Sequence, residues 1–415
     1  MSVETRLLSH PTTQIKGTVQ LTGSKSESNR ALIIQALSRG VVRIENLSNA
    51  ADTVIMQNSL VQAASDSDDR ITINIGPAGT AMRFLTSYLT LGSAQFTLTG
   101  TNRMQERPIG ILVDALSELG ANIQYEKKTN YPPIKIDGGF VQTADKVSIP
   151  GNISSQYISS LLLIAPSLKK GLQLRIEGEL TSRPYVTMTL NMLLEAGIKH
   201  SWTDNVIEIP AQKFLPATIF VEPDWSAASY WYAIVALSKE GTILLPGLKA
   251  HSLQGDIAIV NIMKHFGVAS SFHEDGLRIS KVSGGSDQKL FDFKECPDLA
   301  QTIVALAAAI KRDISITGVE TLKIKETDRI AALKHEIEKF GATIIADGET
   351  YHVKTQDVYY PAQISIDTYE DHRMAMAFAP LALVFDKVII NEPLVVEKSY
   401  PEFWQHLQDH GFQTK

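Results

Sequence analysis

The sequence predicts an α/β fold assembled from six repeated units, arranged as two lobes of three. One pattern of segments recurs six times in order, and most recurrences begin about seventy residues apart, a period typical of a repeated supersecondary module. A chain of 415 residues is long enough for two or three domains with a sizeable core. No long linker or low-complexity stretch divides the chain, so we expect the lobes to be packed bodies.

Each unit opens with small or polar residues and continues as an apolar helix rich in alanine and leucine. A short break follows, and the segment ends in a β-branched strand. Because these first helices are apolar almost all round, we expect them to be buried. The six segments are residues 28–47, 78–100, 154–178, 224–247, 297–318 and 370–392.

A second helix follows in each unit. These helices have one apolar and one polar face, which predicts a more exposed position. Four of them end at a glycine before an extended segment, in residues 107–125, 183–202, 255–272 and 327–345.

The lobes should divide near "FVEPDW" (220–225), after the third unit. Because the chain begins with strands over residues 3–21, before the first repeat, the N-terminus is expected to join the C-terminal lobe. This gives an N-terminal lobe of residues 23–223 and a C-terminal lobe of residues 1–22 with 224–415. A ligand that contacts both lobes would favour a closed state.

Composition excludes several classes of protein. A net charge of −6 argues against a general nucleic-acid-binding surface. The one cysteine, Cys296, excludes an intramolecular disulfide framework and a multi-cysteine metal site. The N-terminus has no apolar signal region and the chain no 18-residue apolar span, so we expect a cytoplasmic protein without membrane contact. With no heptad pattern or exposed apolar stripe, a monomer is the expected state.

Charged residues sit where the buried helices should begin. "GSKSESNR" (23–30) fails the Walker pattern, but its serines, Lys25 and Arg30 at a helix N-terminus suit an anion. Unpaired charge at a buried helix end is costly, so these groups either pair or converge on charged ligands between the lobes. The acids Asp298 and Glu326 are outnumbered by the cations Lys25, Arg30, Arg107, Lys325, Arg329, Arg373 and Lys398.

Such an excess of cations, with guanidinium groups prominent, favours small metabolites that carry phosphate and carboxylate groups. The two acids remain for proton transfer, with pKa values set by the cations around them. Because the cations can balance phosphate charge, no metal and no cofactor is expected.

Eight motifs resemble the enolpyruvyl transferases, in the branch whose acceptor is shikimate-3-phosphate. The match extends from residue 15 to residue 404 with the motifs in order, and "KETDR", "DHRMAM" and "GSKS" together are highly specific. The motifs are "GSKSESNR" (23–30), "AGTAMR" (78–83), "ERPIG" (106–110), "SSQY" (154–157), "SRPY" (182–185), "KETDR" (325–329), "DHRMAM" (371–376) and "EKSYPEF" (397–403).

The resemblance implies a two-lobed inverse α/β, barrel-like fold of six βαβαββ units. It also implies transfer of the enolpyruvyl group of phosphoenolpyruvate to the 5-hydroxyl of shikimate-3-phosphate, with phosphate leaving from a tetrahedral intermediate. Both substrates are small and multiply anionic, as the cation excess predicts.

By motif, the resemblance also implies which side chains bind each substrate. Those expected around phosphoenolpyruvate are Lys25, Gly79, Arg107, Gln156, Arg329, Arg373 and Lys398. Those expected around shikimate-3-phosphate are Lys25, Ser26, Arg30, Ser154, Ser155, Gln156, Ser182, Asp298 and Lys325.

The resemblance also implies a catalytic role for three residues. Asp298 is the expected base for the 5-hydroxyl, and Glu326 is the expected acid that protonates the methylene carbon. Lys25 is expected to share the proton relay and to stabilise the leaving phosphate.

The sequence departs from the family pattern in four places, which concern fine positioning and inhibitor sensitivity rather than the reaction. Pro77 stands where asparagine is common and Phe84 where proline is common. Thr321 replaces a frequent asparagine, and Glu27 a usually apolar residue.

Two alternatives stay open at this stage. The sister enzyme that uses UDP-N-acetylglucosamine carries a reactive cysteine on a loop of units two and three, whereas Cys296 lies far along the chain and is expected to be a small semi-buried residue. A catalytically inactive binding protein on the same fold would gain nothing from both Asp298 and Glu326. The histidines of "HLQDH" (406–410) lack an adjacent glutamate, so we expect a solvated helix face rather than a zinc site.

Overall fold

The structure is a computed structural model, and it describes residues 4–65 and 69–415. The chain divides into two compact units. The central unit is residues 23–221, and the terminal unit comprises the chain up to Thr22 together with Glu222–Lys415.

The strands and helices alternate along the chain. The strands are β1 Thr5–Ser9, β2 Gln14–Thr18, β3 Val42–Glu45, β4 Ile71–Asn74, β5 Gln95–Thr99, β6 Asn122–Tyr125, β7 Ile134–Asp137, β8 Lys146–Pro150, β9 Leu172–Glu177, β10 Ser201–Thr203, β11 Val206–Ile209, β12 Ala217–Phe220, β13 Glu240–Leu245, β14 Val268–His273, β15 Gly276–Lys281, β16 Leu290–Asp292, β17 Ile314–Thr317, β18 Thr343–Asp347, β19 Thr350–Lys354, β20 Gln363–Ile366, β21 Lys387–Asn391 and β22 Gln413–Thr414.

The α-helices are α1 Lys25–Leu37, α2 Ala51–Ala63, α3 Gly79–Tyr88, α4 Asn102–Gln105, α5 Gly110–Leu119, α6 Ser155–Ile164, α7 Arg183–Glu195, α8 Trp225–Leu237, α9 Ile259–Lys264, α10 Ala300–Ala309, α11 Arg329–Glu338, α12 His372–Phe378 and α13 Phe403–Asp409. Short 3₁₀ helices cover Leu89–Leu91, Ala165–Ser167, Gly255–Ala258, Pro297–Leu299, Glu320–Ile324, Ala379–Leu383 and Pro393–Lys398.

The sheets repeat one topology. In the central unit the orders are β4-β5-β7-β6 and β10-β11-β9-β8, and each sheet joins one parallel pair to an antiparallel hairpin. In the terminal unit the orders β14-β15-β13-β2 and β16-β17-β19-β18 follow the same rule. The repeated βαβαββ unit is therefore present in both, and the predicted fold class is confirmed.

The N-terminal strands complete two sheets of the terminal unit. Strand β1 runs antiparallel to β21 and to β22, and β2 runs parallel to β13. The last repeat thus obtains its hairpin partner from the beginning of the chain.

The first repeat differs from the other five. Among the described residues its sheet has two strands: β3 pairs in parallel with β12, which lies at the far end of the central unit. Helix α2 ends at Ala63 and β4 begins at Ile71. The described residues of this interval, 64–65 and 69–70, belong to no strand. The sheets of the described residues are open and do not form a closed barrel.

The first helices of the repeats form the core, as predicted. Every residue of α10 and of α12 is buried, and so is nearly all of α3, α6 and α8. The second helices alternate buried and exposed positions, as α11 does with Ile330, Leu333 and Ile337 turned inward. Among the described residues, no helix combines the length and apolar character needed to cross a membrane.

Candidate active site

A buried guanidinium group lies at the centre of the terminal unit's charged cluster. Asp328 caps α11 by accepting hydrogen bonds from the backbone N–H groups of Ile330 and Ala331, which starts the helix at Arg329. The Arg329 side chain is buried and contacts three carboxylates. Its Nε lies 2.6 Å from Asp371 Oδ2, its Nη1 2.9 Å from Asp298 Oδ1, and its Nη2 3.0 Å from Glu326 Oε2.

Other cations reach the two candidate catalytic acids. Arg373 Nη2 lies 2.8 Å from Asp298 Oδ2, and Lys325 Nζ lies 3.9 Å from Asp298 Oδ1. Lys398 Nζ donates to Glu326 Oε1 at 2.9 Å. All six site residues that the sequence placed in this unit therefore belong to one continuous network.

The cations determine the ionisation of Asp298. Burial by itself would raise the pKa of this carboxyl group. The charges of Arg373, Lys325 and Arg329 outweigh that effect and hold the pKa of Asp298 well below its usual range. The carboxylate is therefore ionised and able to accept a proton.

In the central unit, the start of α1 carries the residues of the first motif. Ser24 caps the helix, with its Oγ 3.5 Å from the backbone nitrogen of Glu27. Lys25 Nζ lies 3.1 Å from Asp52 Oδ2, which is at the start of α2. The carbonyl of Ser26 accepts from Arg30 Nη1 at 2.8 Å.

Arg30 is buried and donates hydrogen bonds to neutral groups, while the nearby charge of Glu27 helps to keep it ionised. Its Nε donates to Thr189 Oγ1 at 2.7 Å, and its Nη2 donates to Ser159 Oγ at 3.1 Å. The guanidinium carbon lies 5.3 Å from the centre of the Phe84 ring and 5.9 Å from that of Tyr185. Burial lowers the pKa of Arg30 to about 10, so the group stays charged at neutral pH. Phe84, which departs from the family pattern, thus supplies a ring face to this cation.

A second set of central-unit residues surrounds the start of α3. A Cβ added at Gly79 would lie 2.7 Å from Arg107 Nη1, so the guanidinium group depends on glycine at this position. Gln156 Nε2 lies 3.3 Å from the hydroxyl of Thr80. The motif "AGTAMR" therefore meets the arginine of "ERPIG" and the glutamine of "SSQY".

The serines of the central unit lie at helix starts. Ser154 caps α6 and Ser155 is its first residue. Ser182 precedes α7 with a φ of 55°, a left-handed conformation that is uncommon outside glycine. Helices begin at all three serines, where backbone N–H groups point outward and suit an anion.

Sequence reasoning missed several residues that hold these groups in place. In the terminal unit Asp371 is fully buried and contacts Arg329 through both oxygens, while Ser226, Tyr230 and Asp256 stand around Arg373. Asp371 is part of the quoted motif "DHRMAM", so its position before a buried helix was the signal that could have found it. Asp256 follows a glycine in an ordinary-looking helix start, and its sequence carries no comparable signal.

The expectation of a solvated face for "HLQDH" is wrong. His406 and His410 are both half-buried. His406 Nδ1 lies 2.8 Å from the Tyr400 hydroxyl, and the His410 ring meets Trp231 edge-on at 4.8 Å. These histidines are packing residues of the terminal unit.

Two further groups bear on the rival interpretations. Cys296 is buried just before α10, and burial raises the pKa of its thiol well above the usual range, which makes it a poor nucleophile. Sequence reasoning missed a cluster of His335, Glu336 and Asp367, whose ligand atoms all lie within 4.8 Å of one another. The ammonium group of Lys339 lies 2.7 Å from Glu336 and 3.0 Å from Asp367, where a metal ion would otherwise be placed.

Comparison with known proteins gives one consistent result. The family model described as EPSP synthase (3-phosphoshikimate 1-carboxyvinyltransferase) matches residues 9–407. The 3-phosphoshikimate 1-carboxyvinyltransferase of Bacteroides fragilis is 47% identical, with 99% of this chain and 98% of the relative covered. The protein of that name from Vibrio atlanticus is 37% identical, with 96% and 97% covered.

Solved structures agree on the fold. EPSP synthase from Acinetobacter baumannii superposes with a TM-score of 0.78 at 19% identity, covering 99% of this chain and 100% of that one. The enolpyruvyl transferase NikO from Streptomyces tendae gives a TM-score of 0.71 at 13% identity, covering 100% and 99%. With the family match over nearly the whole chain, these findings show that the chain belongs to the EPSP synthase family, enzymes that transfer the enolpyruvyl group of phosphoenolpyruvate to shikimate-3-phosphate.

Proposed function

We propose that Asp298 and Glu326 carry out the proton transfers of this reaction, and that the cations around them bind its anionic groups. The observation that carries the proposal is the position of the two carboxylates on one guanidinium group. Arg329 holds Asp298 at 2.9 Å and Glu326 at 3.0 Å, so the two acids are fixed relative to each other. Two positioned carboxylates in a strongly cationic setting suit a reaction that needs both a base and an acid.

In the addition step, Asp298 removes the proton of the 5-hydroxyl of shikimate-3-phosphate. The oxygen forms a bond to C2 of phosphoenolpyruvate, and the electrons of the C2–C3 double bond take a proton from Glu326, which acts here in its protonated form and becomes a carboxylate. The product of this step is a tetrahedral intermediate with a methyl group at C3.

In the elimination step, the Glu326 carboxylate formed by the addition takes a proton back from C3, the double bond re-forms and the C2–O bond to phosphate breaks. The leaving phosphate takes up the proton that Asp298 removed from the 5-hydroxyl. Lys25 stabilises the leaving phosphate and shares the proton transfers. Negative charge builds up on the phosphate oxygen as its bond to C2 breaks. The cations stabilise this charge without having to move, because they are already in place before the reaction.

The carboxylates need to be released from some of their ion pairs for this to work. Arg373 and Lys398 contact the candidate acids in the structure as it stands. A phosphate or carboxylate group of a substrate offers these cations another partner. Once part of their charge is shared with substrate, the pKa of Asp298 rises toward a value more useful for a base.

We assign the substrate-binding residues by matching cations and hydroxyl groups to the anionic groups of the two substrates. Arg30, which is charged and donates its hydrogen bonds to neutral groups, suits the anion of shikimate-3-phosphate together with Ser26, Ser154, Ser155, Ser182 and Lys325. We assign phosphoenolpyruvate to Lys25, Gly79, Arg107, Arg329, Arg373 and Lys398, with Gln156 between the two substrates.

The direct test is phosphate release. With phosphoenolpyruvate and shikimate-3-phosphate, the purified protein is expected to release phosphate continuously. With UDP-N-acetylglucosamine as the acceptor, release should stay at background. A protein that binds both anions without releasing phosphate would contradict the proposal, and turnover with the nucleotide sugar would assign it to the sister reaction.

We expect activity to survive exhaustive chelation. The cations of the two clusters can balance the substrate phosphates, so no divalent ion is needed for charge neutralisation. Phosphate release would be measured after dialysis against a chelator, with and without added magnesium or zinc. Loss of turnover that either ion restores would contradict the cation argument.

Gly79→Ala is expected to raise the KM for phosphoenolpyruvate and leave that for shikimate-3-phosphate nearly unchanged. The added methyl group would lie 2.7 Å from Arg107 Nη1, so the end of this flexible side chain must move. Steady-state kinetics would measure both constants. Gly92→Ala is the matched control for an added methyl group, because Gly92 also lies outside the left-handed region and its added Cβ would meet only the Leu89 carbonyl oxygen, at 3.9 Å. Equal KM values for Gly79→Ala and the unaltered protein would remove Arg107 from the site.

We also propose that the protein acts as a cytoplasmic monomer that does not bind nucleic acid. Its net charge of −6 and the one buried cysteine support this. Sedimentation velocity at assay concentration would show a single species near 45.6 kDa.

A further inference from the structure

Asp256 is a buried acid that the roles above leave unused. It lies in the 3₁₀ helix Gly255–Ala258 and is 2% exposed. Its Oδ2 accepts a hydrogen bond from the hydroxyl of Ser226, and its Oδ1 is buried with no partner among the described residues. A buried carboxylate is costly, which calls for a reason why one stands here.

The segment that carries Asp256 is fixed firmly to the start of α8. Gln254 accepts a hydrogen bond from the backbone nitrogen of Trp225 at 2.9 Å and donates to the carbonyl of Pro223 at 3.0 Å. Ser252, two residues earlier, donates to the buried carboxylate of Glu222. These bonds hold Asp256 against Ser226 independently of any substrate.

Ser226 connects Asp256 to the candidate site. Arg373 Nη2 lies 3.3 Å from Ser226 Oγ and 2.8 Å from Asp298 Oδ2. A serine hydroxyl can rotate and either donate or accept. Because its proton is directed to Asp256, its lone pairs face Arg373 and give Nη2 a second acceptor beside Asp298, while Nη1 donates to the Tyr230 hydroxyl at 3.3 Å.

We propose that Asp256 is a positioning residue for enolpyruvyl transfer, which acts through the Ser226 hydroxyl to fix the Arg373 guanidinium group. This inference rests on the proposed role of Arg373 in binding phosphoenolpyruvate. Without Asp256 the hydroxyl is free to turn, and Arg373 loses an acceptor. The guanidinium group is then held more by Asp298, which leaves it less well placed for the anionic substrate.

The charge of Asp256 matters less than its hydrogen bond. Burial, followed by the charge of Asp298, raises the pKa of Asp256 to about 7, although Arg373 and the Ser226 hydroxyl oppose the shift. Asp256 also interacts electrostatically with two other titratable groups, Asp224 and the Cys296 thiol. A substantial neutral fraction is therefore present near neutral pH, and asparagine should imitate it.

The test compares three variants by steady-state kinetics. Asp256→Ala is expected to raise the KM for phosphoenolpyruvate about tenfold to a hundredfold, the effect of losing a hydrogen bond to a charged group. The KM for shikimate-3-phosphate should change little, and kcat should fall by less than the KM rises. Asp256→Asn should restore most of the affinity. Ser226→Ala should match Asp256→Ala, and the double variant should add nothing further, because both changes break the same connection.

Asp313→Ala is the control for loss of a carboxylate elsewhere in the same unit. Asp313 Oδ1 accepts from the backbone nitrogen and the hydroxyl of Thr355, both at 2.8 Å, so its loss should affect the melting temperature only. If Asp256→Ala or Ser226→Ala lowers the melting temperature and leaves the KM for phosphoenolpyruvate unchanged, the positioning role is overturned. Failure of asparagine to restore affinity would overturn it as well.

Arg373→Lys separates this inference from the proposed function. A lysine cannot reproduce the planar fork of the guanidinium group, so the KM for phosphoenolpyruvate should rise. If Arg373→Lys raises this KM and Asp256→Ala does not, the positioning role fails and the substrate assignment stands. If Arg373→Lys leaves it unchanged, the assignment of Arg373 to phosphoenolpyruvate fails first.

Discussion

Asp298→Asn is expected to lower kcat about 10²- to 10⁴-fold while both substrates still bind, the usual scale for losing acid–base catalysis. Asparagine keeps the shape of the side chain and one acceptor oxygen, which can serve Arg329 or Arg373 but not both. It cannot take the proton of the 5-hydroxyl. Loss of the base should therefore appear in turnover and not in affinity.

Glu326→Gln is expected to be similarly slow, but for a different reason. Its loss removes the proton donor to C3 of phosphoenolpyruvate, so the addition step fails at the carbon. That event can be followed separately, as deuterium from the solvent entering the C3 position during the reaction. We expect Glu326→Gln to depress exchange together with turnover.

The ion-pair network offers a purely structural explanation of the same two acids. In that case Asp298→Asn and Glu326→Gln would both lower the melting temperature and the affinity for substrates. At saturating substrate, their kcat would stay near that of the unaltered protein. Glu320→Gln is the matched control, since Glu320 is an exposed acid of the preceding 3₁₀ helix. Near-normal saturated turnover in both Asp298→Asn and Glu326→Gln would remove the acid–base assignment and leave the substrate class standing.

The repeated fold was predictable because each repeat has the same burial pattern. Beyond their first turn the helices α10 and α12 are apolar on every side, and such helices are stable only in the core. The two-stranded sheet of β3 and β12 was not predictable from the repeat pattern. It depends on a partner strand far along the chain.

The candidate site also contains residues that the sequence predicts and residues that it does not. Residues at the starts of helices were found, because charge at the end of a buried helix is conspicuous in a sequence. Asp256 was not, because its importance comes from a contact with Ser226 made across the fold. Which groups a hydroxyl bonds to, and how deeply a carboxylate is buried, depend on tertiary packing. Neither property produces a periodic pattern in the sequence.

Arg329→Met is expected to have the largest effect on stability, a loss of about 3–5 kcal/mol in the free energy of unfolding. The guanidinium group contacts Asp298, Glu326 and Asp371 at once. Asp371 is fully buried, so methionine would leave a buried carboxylate without its cation. Breaking a buried ion pair from one side costs more than the pair itself contributes, because the remaining charge stays desolvated.

Urea unfolding followed by tryptophan fluorescence would measure this loss, since Trp225, Trp231 and Trp404 all lie in the terminal unit. Lys334→Met is the control, because it removes the exposed pair with Glu338 and should cost less than about 1 kcal/mol. Adding Asp371→Asn to Arg329→Met should recover part of the lost stability, because it removes the stranded charge and the two residues are coupled. An Arg329→Met protein as stable as Lys334→Met would contradict the argument, since it would mean that the three carboxylates do not need this cation to remain buried.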